Sequence, residues 1–235
     1  MAPTPARHLP SSLAPSVGWA VLHLFCRAGP STDAEAVVRA VKATRVAGDQ
    51  VVTVVLLGHK ADIGVMALGP DLWRLRALQT ALRLAGLEPA CSYVSLTEVS
   101  EYAEGVPEEM KQARLYPRLP PEEKPAFCFY PMSRRRGPGD NWYSLSFDER
   151  KELMLGHGAM GRLFRGRVLQ LVTGSTGLDD FEWGVTLFGE HPDDLKECVY
   201  RMRFDEASAR FAEFGPFWTG MVGEIEGVLG SVVSG

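Results

Sequence analysis

The stretch VVTVVLLGHKADIGVMAL, residues 51–68, holds two short apolar runs, VVTVVLLGH (51–59) and IGVMAL (63–68), separated by three residues. Runs of this length, rich in β-branched residues and bounded by glycine and aspartate, read as strands. A strand at GWAVLHLFCR (18–27) and a helix at STDAEAVVRAVKATRVAG (31–48) precede them. A helix at DLWRLRALQTALRLAG (71–86) and a strand at ACSYVSLTEVS (90–100) follow. The order is β-α-β-β-α-β. Past the proline-rich linker RLYPRLPPEEKP, the second half repeats it from AFCFYP (126–131), with a helix at SFDERKELMLGHGAMGRLF whose Ser146 and Glu149 form a capping box. RVLQLVTG (167–174) and FEWGVTLF (181–188) flank a turn and should form a hairpin. A helix is expected from Pro192 and a last strand at FGPFWTGMVG (214–223).

The expected fold class is therefore α+β: two fused ferredoxin-like halves whose four-stranded sheets face each other and close an antiparallel β-barrel with helices outside, of the dimeric α/β-barrel type. The expected organisation is a flexible N-terminal arm at 1–17, an N-terminal ferredoxin-like domain at 18–113 and a C-terminal one at 114–235. The 235 residues are 46% hydrophobic and 23% charged, which suits one large or two small cores. The apolar runs fall short of a bilayer span, and MAPTPARHLPSSLAPSVG lacks the apolar centre of a signal peptide. A cytoplasmic protein without membrane contact is expected. A net charge of −4 gives no reason to expect nucleic acid, RRR at 134–136 being a short local exception. The widely spaced Cys26, Cys91, Cys128 and Cys198 argue against zinc and against a disulfide framework.

Chemistry concentrates in the second half. Met154, His157, Met160, Gly161 and Phe164 recur at helical spacing, so His157 lies on an apolar stripe, between Gly156 and Gly158. Two glycines inside a helix cost about 1 kcal/mol each relative to alanine, so something needs access to the backbone there. Two readings stand: a core histidine bonded to a neighbour, or the single axial ligand of a heme iron, which needs one histidine where zinc needs three or four. Gln170 is polar on an otherwise apolar strand face, either satisfying a buried group or projecting over a ligand. Tyr130 precedes a strongly basic run, and Arg114, Arg203, Arg210 and Ser208 are further candidates for holding anions.

The strings CFYPMSRRR, DNWY, ERKELMLGHG, GSTGLDDFEWGVTLF and YRMRFDEASARFAEFGPF, in this order, resemble the coproheme decarboxylases of the chlorite dismutase-like family. The resemblance is dense from about 114 to 220. It implies a homopentamer whose C-terminal domain binds iron coproporphyrin III as both substrate and redox cofactor. Hydrogen peroxide is the oxidant, two propionates become vinyl groups and heme b is the product. It further implies that His157 is the metal ligand, that Tyr130 forms the catalytic radical, and that Arg114, Arg203 and Ser208 bind propionates. Trp142 and Trp183 would line the pocket. Gln170 stands where chlorite-degrading relatives carry arginine, and Arg134 where lysine is frequent; the resemblance keeps Arg134 among the cofactor-binding residues as a charged partner for a propionate, but arginine is unsuited to proton transfer. Transient contact with the iron-inserting chelatase follows from the same reading. A chlorite dismutase or heme peroxidase, and a non-catalytic heme carrier, are the alternatives.

Overall fold

A computed structural model describes residues 11–233. The arm expected at 1–17 lies largely outside the described residues. Its inner part is tied down, with Leu13 donating its N–H to Asp71 and accepting from the backbone N–H of Leu72.

The first half consists of β1 (Ala20–Arg27), α1 (Ala34–Val46), β2 (Gln50–Leu56), β3 (Ile63–Gly69), α2 (Leu72–Leu84) and β4 (Glu88–Thr97). The helix α3 (Glu108–Leu115) then leads into β5 (Ala126–Arg134), a 3-10 turn at Trp142–Ser144, α4 (Phe147–Arg162), β6 (Val168–Gly174) and β7 (Trp183–Gly189). The chain continues through α5 (Pro192–Met202), α6 (Glu206–Phe211), β8 (Ala212–Phe214), β9 (Trp218–Val222) and α7 (Ile225–Val233). The expected last strand is two strands, because Tyr130 and Pro131 interrupt the ladder on β5 and Gly215-Pro216 turns the chain opposite them.

The sheet corrects the expected architecture. Instead of two four-stranded sheets laid face to face and closed into an antiparallel β-barrel, the fold is α+β on one nine-stranded sheet. Its order is β7-β6-β4-β1-β3-β2-β9-β5-β8, with an additional β7–β5 pairing. The reason is that an edge strand carries a row of unpaired N–H and C=O groups, and here each half satisfies the other's edges. Val54, Val55 and Leu56 of β2 pair with Val222, Met221 and Gly220 of β9, while Leu96 and Thr97 of β4 pair with Gly174 and Thr173 of β6. Gly220 permits the first junction, since a Cβ there would fall 2.8 Å from Val54 Cγ1 and closer still to the Val55 carbonyl.

One face of the first half buries Leu22, Leu24, Val51, Ile63 and Val65 under α1, α2 and α7 through Val37, Val41, Leu75, Leu78 and Val228. The other face shares a core with the second half, where Phe25 stacks on Trp218 at 4.2 Å and Phe127, Phe129 and Phe188 are fully buried. This two-sided burial explains why β1 and β3 read as unbroken apolar runs.

His23 is the exception inside that shared core. It is 0% exposed, its Nε2 lies 3.1 Å from Thr186 Oγ1, and its ring sits 4.2 Å from that of Phe129. Burial pushes its pKa down to about 3 from the ordinary 6.5. An unfolded chain therefore takes up a proton that the folded chain refuses, and stability is lost progressively as pH falls from about 6.5 toward 3. At about 1.4 kcal/mol per pH unit, the loss amounts to a few kcal/mol. Urea unfolding at pH 7 and pH 4 should show a smaller acid loss in His23→Leu than in the wild type. Equal losses would remove His23 as the cause.

Candidate functional site

The capping box fixes where α4 begins: Ser146 Oγ accepts from the Glu149 N–H at 3.3 Å and Glu149 Oε2 accepts from the Ser146 N–H at 2.8 Å. Asp148 and Glu149 also suit the positive end of the helix. The helix is then pinned at two places. Leu153 and Met154 pack on Trp142, Ala207 and Phe211, while Met160 joins Phe164, Cys198, Met202 and Val168. The expected stripe is packed at Met154, Met160 and Phe164, but between these anchors the helix has no buried residue. A Cβ on Gly156 or Gly161 would meet nothing within 4 Å, and one on Gly158 only the Arg162 side chain at 3.5 Å.

His157 occupies this bare turn with 24% of its side chain exposed. Its Nδ1 lies 3.1 Å from Asp205 Oδ2 and 3.4 Å from Ser208 Oγ. Asp205 is the buried N-cap of α6, and its Oδ1 accepts from the Ser208 N–H at 3.2 Å. Burial alone would raise the Asp205 pKa, but the bonds from His157 and Ser208 outweigh it and hold the carboxyl below its usual range. With Nδ1 engaged by Asp205 and Ser208, Nε2 of His157 takes part in no hydrogen bond among the described residues.

Behind this pair lies Arg134, 6% exposed. Its guanidinium donates to the Ala207 carbonyl at 2.8 Å and to Met154 Sδ at 3.3 Å, and stacks 4.5 Å above the Trp142 ring. Its backbone N–H donates to the buried Glu182 at 2.7 Å. Burial lowers the Arg134 pKa. Arg134 thus ties the end of β5 to α4 and α6, with Trp142 as its packing partner. The other two arginines of the basic run are also engaged, Arg135 with Glu213 and Arg136 with Glu182, each at 3.7 Å.

The sheet supplies the opposite wall. Cross-strand register aligns Cys128, Leu187 and Gln170 in one row, Tyr130, Val185 and Val172 in the next, and Met132, Trp183 and Gly174 in a third. All nine face the side of the sheet on which Met160 and Phe164 cover Val168. Gln170 is exposed and Val172 is 40% exposed, so a groove remains open between this face and α4.

Tyr130, 6% exposed, stacks on Phe217 at 4.6 Å and tilts against Phe214 at 5.6 Å. Burial, helped by the thiols of Cys128 and Cys198, pushes its phenol pKa well up, and Arg203 opposes this weakly. The phenol is therefore protonated at any physiological pH. The exposed Arg203 closes the α5 helix and lies 4.9 Å over the Phe214 ring. Arg210 is used within its own neighbourhood, with Glu206 at 2.8 Å and Asp140 at 3.2 Å.

Arg114 is exposed on α3, which is fastened to the β4–β6 junction by the Thr97 hydroxyl donating to the Leu115 carbonyl at 2.7 Å. The structure thus brings His157 and Ser208 together on one wall and Tyr130, Gln170 and Trp183 on the other, with Arg134 and Trp142 behind the first. Sequence reasoning missed Asp205 and Glu182. The D-x-x-S spacing of a short helix start, Asp205 to Ser208, was the available signal for the former. Among the described residues no group of three or more His, Cys, Asp or Glu is placed to hold a metal, and no helix is long and apolar enough to cross a membrane.

A family model described as chlorite dismutase matches residues 30–223. A coproheme decarboxylase of Staphylococcus carnosus is 46% identical over 177 residues, covering 71% of this chain and 70% of that protein. A protein of Natronomonas pharaonis named for heme binding is 47% identical over 182 residues, 70% of this chain, and the aligned part spans only 30% of that longer protein. Among solved structures, a heme-binding protein from Thermus thermophilus superposes with a TM-score of 0.81 at 35% identity, covering 97% of this chain and 100% of that one. A chlorite dismutase from Candidatus Nitrospira defluvii shares the fold, with a TM-score of 0.74 at 18% identity over 93% of this chain and 97% of that one.

Because its Cβ would meet open space, Gly156→Ala should raise the stability of the ligand-free protein by about 1 kcal/mol through helix propensity. Thermal unfolding checks this. A lowered midpoint would show that the turn is already filled.

Proposed function

The chain belongs to the chlorite dismutase family, and from that premise we propose that it is a hydrogen peroxide-dependent coproheme decarboxylase producing heme b. The observation that carries this reading is a pair of walls: an imidazole anchored by Asp205 on a bare glycine turn of α4, and a sheet face that carries a buried, neutral tyrosine. These residues fit a flat macrocycle with one axial ligand, because Nδ1 is occupied, Nε2 is free and the flanking backbone lacks side chains.

When bound, iron coproporphyrin III supplies both the propionates to be cleaved and the redox metal that peroxide oxidises. The protein's share is positional and protonic. His157 provides Nε2 to the iron, and the Asp205 carboxylate, holding Nδ1–H, strengthens it as a donor. The Tyr130 phenol, kept neutral by burial, would pass its hydrogen atom to the peroxide-oxidised group and regain one from the β-carbon of a propionate. The resulting carbon radical would return one further electron to that group as its carboxylate departs as carbon dioxide, leaving the vinyl group, so each propionate consumes one peroxide and one proton and releases one carbon dioxide and two waters.

Arg203, beside the aromatic cluster of Tyr130, and Arg114 are assigned to the carboxylates, for which a guanidinium fork is suited. Ser208, Trp183 and Gln170 complete the pocket in this reading. Arg134, with its fork spent on Ala207 and Trp142, is assigned to holding the proximal wall rather than to proton transfer. The reading also has the chain assemble as a homopentamer, for which the exposed Leu155, Leu163, Tyr200 and Phe204 offer apolar surface.

Incubation with iron coproporphyrin III and peroxide should give, by mass spectrometry, sequential loss of two carboxyl groups. An unchanged porphyrin overturns the reading, and tight reversible binding without turnover would make the protein a carrier. Tyr130→Phe should bind coproheme normally yet lose turnover by at least about 100-fold, roughly 3 kcal/mol of barrier. In Gly156→Leu, coproheme affinity should fall at least about tenfold, roughly 1.4 kcal/mol, without loss of ligand-free stability. Normal binding would show that macrocycle access is not why the glycine is there.

A further inference from the structure

Glu98 directly follows β4, which ends at Thr97. Alternation along β6 puts Gly174 on the groove face with Gln170 and Val172, and its partner on β7 is Trp183. A Cβ on Gly174 would fall 2.5 Å from Glu98 Cδ and 2.8 Å from Oε1, so the carboxylate of Glu98 lies directly on the bare backbone of Gly174. Trp183 Nε1–H donates to Oε1 at 3.2 Å, while Oε2 takes part in no hydrogen bond among the described residues. Neither Gly174 nor Trp183 is charged, and the cations of the neighbouring segment are spent elsewhere, Arg150 on Glu101 at 3.9 Å and Lys151 on Glu104 at 2.6 Å.

Glu98 is thus an oriented carboxylate on the same wall as Tyr130 and Gln170, reachable from the groove, with one oxygen fixed and the other free. We propose that Glu98 is the proton acceptor of this pocket, Oε2 taking the proton of hydrogen peroxide bound over the β6–β7 rows. The step converts peroxide and carboxylate into hydroperoxide anion and neutral carboxyl, with no electron transferred. It rests on the peroxide-dependent reading above.

Coordination to a metal acidifies a bound O–H, which is what lets a carboxylate serve as its base. Desolvation raises the pKa of Glu98 in spite of the Trp183 bond, which brings the base closer to neutral pH. The bare Gly174 has a purpose on this view: a methyl group there would displace the carboxylate, and because the displaced atoms are the flexible end of a side chain, folding would be little affected.

Two variants test this. Glu98→Gln keeps size and an acceptor for Trp183 but cannot take a proton, whereas Gly174→Ala keeps the acid and moves it aside. In the ligand-free protein, tryptophan fluorescence titrated from pH 3 to 8 should show a step from Glu98 beneath Trp183 that Glu98→Gln abolishes. In the coproheme-loaded protein, the rate of cyanide binding from hydrogen cyanide, which also requires proton removal, and the rate of peroxide consumption should both fall by about 100-fold or more in each variant. Coproheme affinity should stay within about twofold, as expected of a group that acts on the proton rather than on the macrocycle. Wild-type cyanide and peroxide rates in either variant, or an unaltered fluorescence step in Glu98→Gln, would overturn the proposal. A wild-type protein that binds cyanide with Glu98-dependent speed but never decarboxylates would overturn the decarboxylase reading and leave Glu98 as the acceptor, while failure to bind coproheme would overturn both.

Discussion

Edge pairing between the two halves is the constraint on which the rest depends. Neither half can leave β2, β4, β6 or β9 unpaired without exposing ladder groups, and the junctions Val54–Leu56 with Gly220–Val222 and Leu96–Thr97 with Thr173–Gly174 remove that liability. The second junction has a chemical consequence. It carries the end of β4 across to β6, so a residue of the first half, Glu98, comes to rest on the groove wall built by the second. The same joining encloses the shared core, where His23 of β1 meets Thr186 of β7 and Phe129 of β5.

The groove follows from how α4 is held. Its two anchors rest on residues that follow it in the chain, Phe211 and Ala207 near one end and Cys198 and Met202 near the other. The loop after β4 adds a further tie, with Tyr102 stacked on Phe147 and ion pairs to Arg150 and Lys151. Held in this way, the helix need not pack its middle turn against the sheet. His157 takes its orientation from Asp205 instead of from burial, so its imidazole is both held and accessible.

Most of the elements were legible because their signals are local. The apolar runs of β1 to β3, the capping box of α4, the hairpin of β6 and β7 and Pro192 at the start of α5 all declare themselves within a few residues. The joining of the sheet was not, because edge-to-edge and face-to-face association make the same demands on alternation, and only the register at Gly174 and Gly220 distinguishes them. His157, Gln170 and Tyr130 stood out by residue type against their surroundings. Asp205 and Glu98 did not, since a carboxylate far away in the chain looks like any surface acid until the fold brings it to an imidazole or an indole. The apolar spacing on α4 located its packed ends, Met154, Met160 and Phe164, but a helix covered only at its two ends carries the same pattern as one covered throughout, so the exposure of the turn at His157 was not legible.

The bare middle turn of α4 also has a thermodynamic side. An element with no buried residue and three glycines, Gly156, Gly158 and Gly161, has little of its own to resist local opening. Whatever binds only the closed helix adds RT ln(1 + [L]/Kd) to the free energy of opening it. Occupancy of the groove is therefore read out as amide-exchange protection and protease resistance of this one segment. Through Gly156, Gly158 and Gly161, opening of this one segment becomes the property of the chain most sensitive to anything that occupies the space beside it.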